Sequence, residues 1–186
     1  MDYKYITLAE ELKIRRVYSI HYFEYMKDFE FEGESHDFWE FVCVDSGNIL
    51  VTAGDKHLTL TPHQMLFHKP NEFHALRADG ISSPNLIVVS FDCTAPCMKF
   101  FENRLVSVSQ MERFYLGQLL AEARKTFHTP LNNPLNCFLE RNKDCEFGSE
   151  QIIALSLEFL LISIFRRYWA ILPISIFLYS LKKLPV

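Results

Sequence analysis

Glu34, His36 and Glu40 stand close together in the first half of the chain, and His74 follows about one barrel-width later. Side chains alternate along a strand, so His36, Phe38 and Glu40 would share one face, and Glu34 would join them if the strand begins that early. Two histidines and one or two carboxylates converging inside a barrel suit Fe(II), Mn(II) or Zn(II). The same groups could instead contact a small organic molecule, with Phe38 and Trp39 as stacking surfaces. The plainest role for His36, Glu40 and His74 is a satisfied polar cluster pinning strands together. Small-molecule contact ranks second and a bound metal third. For Phe38 and Trp39, core packing ranks above stacking on a ligand. Lys69 and Arg77 flank His74 and could neutralise an acidic effector, although solvated surface charge is the simpler account. His57, His63 and His68 are placed at surface or edge positions beside hairpins, and His21 and His128 carry no signal.

These side chains need a sheet to position them, and the sequence supplies one. Phe38–Val44 is apolar or aromatic except for Glu40, and the turn Asp45-Ser46-Gly47-Asn48 follows. Ile49–Thr52, the alternating Leu58 and Leu60, then Gln64–His68, Phe73–Ala78 and Leu86–Phe91 are further short runs, separated by Gly54, Pro62, Pro70, Gly80 and Pro84. Six or more short strands without helical periodicity between them predict an antiparallel sandwich or barrel from about Val17 to Asp92. The gaps are too short for the crossover helices of a parallel sheet.

The second part reads as helical. Ser109-Gln110-Met111-Glu112 has the form of a capping box, and Met111, Phe114, Tyr115, Leu119, Leu120, Ala123 and Phe127 follow at helical spacing. Glu112, Gln118, Glu122 and Lys125 are expected off that stripe. A polar stretch from His128 to Gly148 leads to Ser149, a candidate cap for a helix over Glu150–Arg167 that is apolar almost all round. Such a helix is either sandwiched in a core or forms a subunit interface.

With 186 residues, 49% hydrophobic and 23% charged, the chain fits one globular domain, or one with an appendage, and neither disorder nor a fibre. The net charge of −4 weakens any claim that this chain grips nucleic acid through a basic field. Seventeen Phe suggest an aromatic-lined interior. The five cysteines are odd in number and sparsely placed, and the charged N-terminus has no apolar stretch of signal-peptide type, so a reduced, cytoplasmic protein is expected.

The segment Glu34-x-His36-x-x-x-Glu40-x6-Gly47 resembles the first cupin motif, with Glu34 where a metal-binding cupin usually has its first histidine. Lys69-Pro70-Asn71-Glu72-Phe73-His74 resembles a contracted second motif. More specifically, His36 to Phe41 through Thr52 to Asp55, then Phe67 to His74, look like the N-terminal ligand-binding and dimerisation domain of AraC-type transcriptional regulators. Pro84 to Phe91, Phe100 to Asn103 and Phe147 to Gln151 continue the likeness, which covers about Val17 to Arg167. It implies a mainly β fold, a cupin (double-stranded β-helix or jelly-roll) barrel over residues 1–108, followed by two dimerisation helices over residues 109–167. It also implies an effector-sensing, homodimeric domain that is not an enzyme and binds a small molecule through His36, Phe38, Trp39, Glu40 and His74. No cofactor or metal is expected. Were a metal held, Glu34, His36, Glu40 and His74 would be its ligands. A small metal-dependent cupin enzyme, of dioxygenase or isomerase type, is the alternative.

Family members carry two C-terminal helix-turn-helix motifs, for which residues 168–186 leave no room, so no direct DNA contact is expected from this chain. Tyr168–Leu181 is uncharged and interrupted by Pro173, and at about 21 Å as a helix it is too short for a membrane span. This apolar tail is read as foreign to the family fold, with a change of reading frame as one origin.

Overall fold

Strand β3 (Trp39–Ser46) is buried on both faces over its first six residues, and it divides the molecule into two apolar layers. Trp39, Phe41 and Cys43 enter one buried cluster, while Val42 and Val44 enter the other. The computed structural model, which describes residues 1–134 and 136–170, contains the expected antiparallel barrel. Its strands are β1 (Arg16–Glu24), β2 (Glu30–Glu34), β3, β4 (Ile49–Ala53), β5 (Lys56–Leu60), β6 (Gln64–His68), β7 (His74–Ala78), β8 (Asn85–Asp92) and β9 (Leu105–Ser107). A five-stranded sheet runs β1-β8-β3-β6-β9 and a four-stranded sheet runs β2-β7-β4-β5. Between them Val42, Val51, Leu66, Leu76, Leu86 and Val88 form the barrel interior. The architecture is a two-sheet jelly-roll barrel followed by two C-terminal helices.

The aromatic residues line one of the two buried layers, as composition suggested, and leave the other aliphatic. Phe41, Phe67, Phe91 and Phe101 are fully buried, but on the outer face of the five-stranded sheet, beneath the helices. Helices are cylinders and leave wedge-shaped gaps against a sheet, which flat rings fill. The barrel interior is aliphatic, with Tyr25 as its buried ring.

Helix α1 (Gln110–Thr126) starts with the expected capping box, Ser109 accepting from the Glu112 amide and Glu112 from the Ser109 amide. Its buried face differs from the expected stripe. Leu116, Leu119, Leu120 and Ala123 face the core, Met111 and Phe114 lie exposed, and Glu112 and Glu122 are buried. The rotation has a polar cause. Glu112 accepts from Ser163 Oγ at 3.2 Å and from Arg167 Nε at 3.1 Å and Nη2 at 2.7 Å, and Glu122 accepts from Ser149 Oγ at 2.8 Å.

Helix α2 (Ser149–Trp169) packs on α1 and on the sheet. Its cap is Gly148 rather than Ser149. At φ +81° Gly148 adopts a left-handed conformation that a glycine reaches without strain, while the Ser149 hydroxyl is turned to Glu122. Leu157, Leu160, Leu161 and Ile164 are wholly buried, whereas Leu155 and Phe159 remain exposed. The helix passes the expected boundary at Arg167 by two residues. The apolar tail from 171 onward lies outside the described residues. No helix among the described residues is long and apolar enough to cross a membrane.

Candidate functional site

The barrel interior is layered, and only one end is polar. Moving along the inward face of each strand, Glu40 on β3, His68 on β6, Ser90 on β8 and His74 on β7 precede the aliphatic Val42, Leu66, Val88 and Leu76. Glu40 pairs in register with His68 on one side and Ser90 on the other, so alternation aims all three at one level of the barrel. Ser90 Oγ donates to Glu40 Oε2 at 2.6 Å, and Ser19 Oγ lies 2.7 Å from Ser90 Oγ.

Two turns bring the remaining donors in. A bulge in β2 between Phe31 and Glu34 sets Glu34 opposite His74. Gly33, at φ +109°, makes this possible, because a Cβ there would stand 2.5 Å from the Phe73 ring and 2.7 Å from the His74 carbonyl oxygen. His36 lies in the connection between β2 and β3, not on a strand, so the shared strand phase expected for His36, Phe38 and Glu40 is not what unites them. The turn of the chain folds His36 back to within 3.7 Å of Glu40 Oε2.

The imidazoles are held by their far nitrogens. His74 Nδ1 donates to the Glu72 carbonyl oxygen at 3.0 Å, and His36 Nδ1 to the Phe38 carbonyl oxygen at 3.0 Å. Both Nε2 atoms therefore turn toward the carboxylates, His74 Nε2 at 3.4 Å from Glu40 and 3.9 Å from Glu34. His36 Nε2, His68 Nε2 and His74 Nε2 are buried without a hydrogen-bond partner. One ligand atom from each of Glu34, His36, Glu40 and His74 lies within 4.8 Å of the others. Anchoring of Nδ1 by a carbonyl is the arrangement that orients histidines toward a metal. This donor set fits a divalent cation, and equally a proton shared between imidazole and carboxylate.

The charges follow from the geometry. Burial opposes ionisation of Glu40, yet the neighbouring His36 and His74 imidazoles and the hydrogen bond from Ser90 hold its carboxyl well below the usual range. For His74 burial acts against protonation, but the Glu40 carboxylate outweighs it and the pKa rises. Burial dominates at His68, which is pushed down and stays neutral even though its Nδ1 lies 3.4 Å from Glu72 Oε2.

Glu34, His36, Glu40 and His74 converge as expected, with Glu34 exposed at the mouth and Glu40 buried at the floor. Phe38 sits half-buried beside them, stacked between Tyr18 and His36 with ring centroids at 3.9 and 3.8 Å. Trp39 does not join. It points to the opposite face of β3 and packs under the helices. His68, expected at a surface or edge, is 0% exposed and stacks on His74 at 4.4 Å. Arg77 points outward, away from the site. Glu72, Ser90 and the half-buried His21 were not singled out in the sequence. Strands β6 and β8 are apolar on both faces, so no alternation betrays which way His68 or Ser90 turns.

Comparison with known proteins agrees with this architecture. Residues 16–95, from β1 to just beyond β8, match the family model of the AraC-like ligand binding domain. No curated protein sequence matches the chain. Among solved structures, apo ToxT K231A from Vibrio cholerae is similar over 84% of this chain and 58% of its own, with a TM-score of 0.52 at 10% identity. That overlap extends the likeness in fold beyond the barrel. A cupin superfamily protein from Desulfitobacterium hafniense aligns over 47% of this chain and 72% of its own, with a TM-score of 0.37 and 13% identity. A conserved protein from Streptococcus pyogenes aligns over 42% and 67%, with a TM-score of 0.39 and 20% identity.

Proposed function

We propose that the AraC-like ligand-binding domain formed by residues 16–95 is the effector-sensing part of a cytoplasmic, homodimeric transcriptional regulator, binding a small molecule at the polar end of its barrel. The observation that carries this reading is the set of three buried Nε2 atoms without partners. A buried polar atom left unpaired costs roughly 1–3 kcal/mol, so a ligand bearing hydroxyl groups, which can both donate and accept, recovers that cost at His36, His68 and His74 on binding. Phe38, stacked on His36 at the mouth, offers a flat apolar surface beside those donors. Trp39 is left out because it faces the helices. For pairing, the exposed Met111, Phe114, Leu155 and Phe159 on the outer side of the helical layer supply the apolar face.

A second reading has its own observation. Four ligand atoms within 4.8 Å, two of them imidazole nitrogens anchored from behind, suit Fe(II), Mn(II) or Zn(II), and hence a metal-dependent cupin enzyme. Native mass spectrometry of protein purified without chelator separates the two. A bound organic mass that disappears in His36→Asn carries the sensor reading. A stoichiometric metal, lost in His74→Gln, carries the enzyme reading and overturns the first.

A further inference from the structure

Outside the barrel, a cavity of about 280 Å³ opens between the five-stranded sheet and α1. Its floor is apolar, built from Cys43, Ile87, Val108, Leu116 and Leu120, all buried. The rim carries two guanidinium groups. Arg113 Nη1 donates to His63 Nε2 at 3.0 Å, and Arg124 lies over the Tyr22 ring at 5.5 Å. Both contacts are to uncharged groups, so neither cation is neutralised by them. The acid on the same rim, Asp45, accepts from the Tyr22 hydroxyl at 3.0 Å. Between the two arginines α1 presents Gly117 and Ala121 to the cavity. Glycine inside a helix is destabilising relative to alanine. Neither packing nor a positive φ requires it here, because a Cβ on Gly117 would meet nothing within 4 Å. Its effect is to leave the groove open midway between two cations.

We propose that this groove is a second ligand site, which takes a small organic carboxylate with an apolar ring, its body on the aliphatic floor and its carboxylate held by Arg124 and Arg113. An ionised acceptor gains charge-assisted bonds from guanidinium that a neutral one does not. Such a ligand would touch β3, β8 and α1 together, and so bear on how the helices sit against the barrel. The site is built from residues of its own and shares none with the barrel mouth. Titration of the whole chain with 2-naphthoate, followed by nitrogen-15 NMR at Gly117, Arg124 and Val108, tests it. Saturable binding is expected, weakened about tenfold or more by Arg124→Gln and in the neutral analogue 2-naphthamide. Gly117→Leu should abolish it while leaving the melting temperature unchanged or raised, since leucine favours the helix and fills open space. A carboxylate captured at the barrel mouth instead would shift the resonances of His36 and His74 and spare that of Gly117, which keeps failure here distinct from failure at the barrel mouth. Equal affinity for naphthoate and naphthamide, unchanged binding in Gly117→Leu, or no saturation by about 10 mM overturns the proposal.

Discussion

Replacing Glu112 by alanine removes a side chain that clamps the start of α1 to the end of α2. Its carboxylate is wholly buried and accepts from the Ser109 amide at 2.6 Å, Ser163 Oγ at 3.2 Å and Arg167 Nη2 at 2.7 Å. Losing its half of the capping box costs about 1 kcal/mol. Stranding the cation of a fully buried pair costs roughly 3–5 kcal/mol. The Arg167 side chain is 34% exposed, so water takes over much of that solvation. We therefore expect about 2–3 kcal/mol in total, or a fall in melting temperature of about 5–10 °C for a chain of this size. Urea denaturation followed by far-UV circular dichroism at pH 7 reads it. The sign with pH follows from Glu112 itself. Burial opposes its charge, but Arg167 and the Ser109 amide prevail, so its pKa in the folded chain lies below the ordinary 4.5. A depressed carboxyl contributes stability above its unfolded value and loses it as pH falls through the folded one. The gap between wild type and Glu112→Ala should thus be constant from pH 6 to 8 and shrink below about pH 4. A loss under 1 kcal/mol at pH 7, or a gap that persists at low pH, would refute the clamp.

Three other outcomes follow from the same packing. Leu157→Glu places a charge in a position that is 0% exposed and should unfold the chain, seen as lost near-UV signal, whereas Phe159→Glu, 53% exposed, should keep the fold and shift sedimentation from the proposed dimer to monomer. Gly33→Ala meets both an unfavourable φ and the Phe73 ring. It should destabilise by about 1–3 kcal/mol and shift the side-chain resonances of His74, its neighbour across the bulge. Phe41→Ala, on the helix side of β3, should cost about 3–5 kcal/mol in chemical denaturation, more than Phe38→Ala at the half-buried mouth.

The hairpins and both helices could be read in advance because each is a local property: turn residues at short intervals, a capping box, helical spacing. What escaped was non-local. Glu34, His36 and Glu40 were joined by a strand alternation that does not exist at His36; they meet because the chain turns between β2 and β3. The bulge at Gly33 that aims Glu34 at His74 depends on pairing with β7, some forty residues on. His68 was invisible for a different reason. Met65 and Phe67 on one side and Leu66 on the other make β6 apolar on both faces, so periodicity gives no direction to its last residue. The buried stripe of α1 differs from the one its spacing predicts because Glu112 and Glu122 do not face solvent. Both are buried, because partners on α2 satisfy them, and spacing along α1 cannot know of partners on another helix.

That layout also bears on how an event at the barrel mouth would reach the helices. Glu40, at the centre of the polar cluster, is flanked on β3 by Trp39 and Phe41, and both pack under the helical layer. A shift of β3 that moves Glu40 toward a ligand must move those two rings, and closely packed rings transmit displacement instead of absorbing it. A second route runs through His68. Strand β6 pairs with β9, where the Ser107 amide donates to the Tyr168 hydroxyl at 2.7 Å and the Ser107 carbonyl accepts from Arg167. Arg167 in turn holds Glu112 at the first turn of α1. The polar cluster is therefore one peptide unit from the helix-side core along β3, and one strand pairing from the α1–α2 clamp through β6. For a ligand to shift the helices it needs only to favour one arrangement of β3 and β6 over another, and the size of the response is bounded by that difference in affinity.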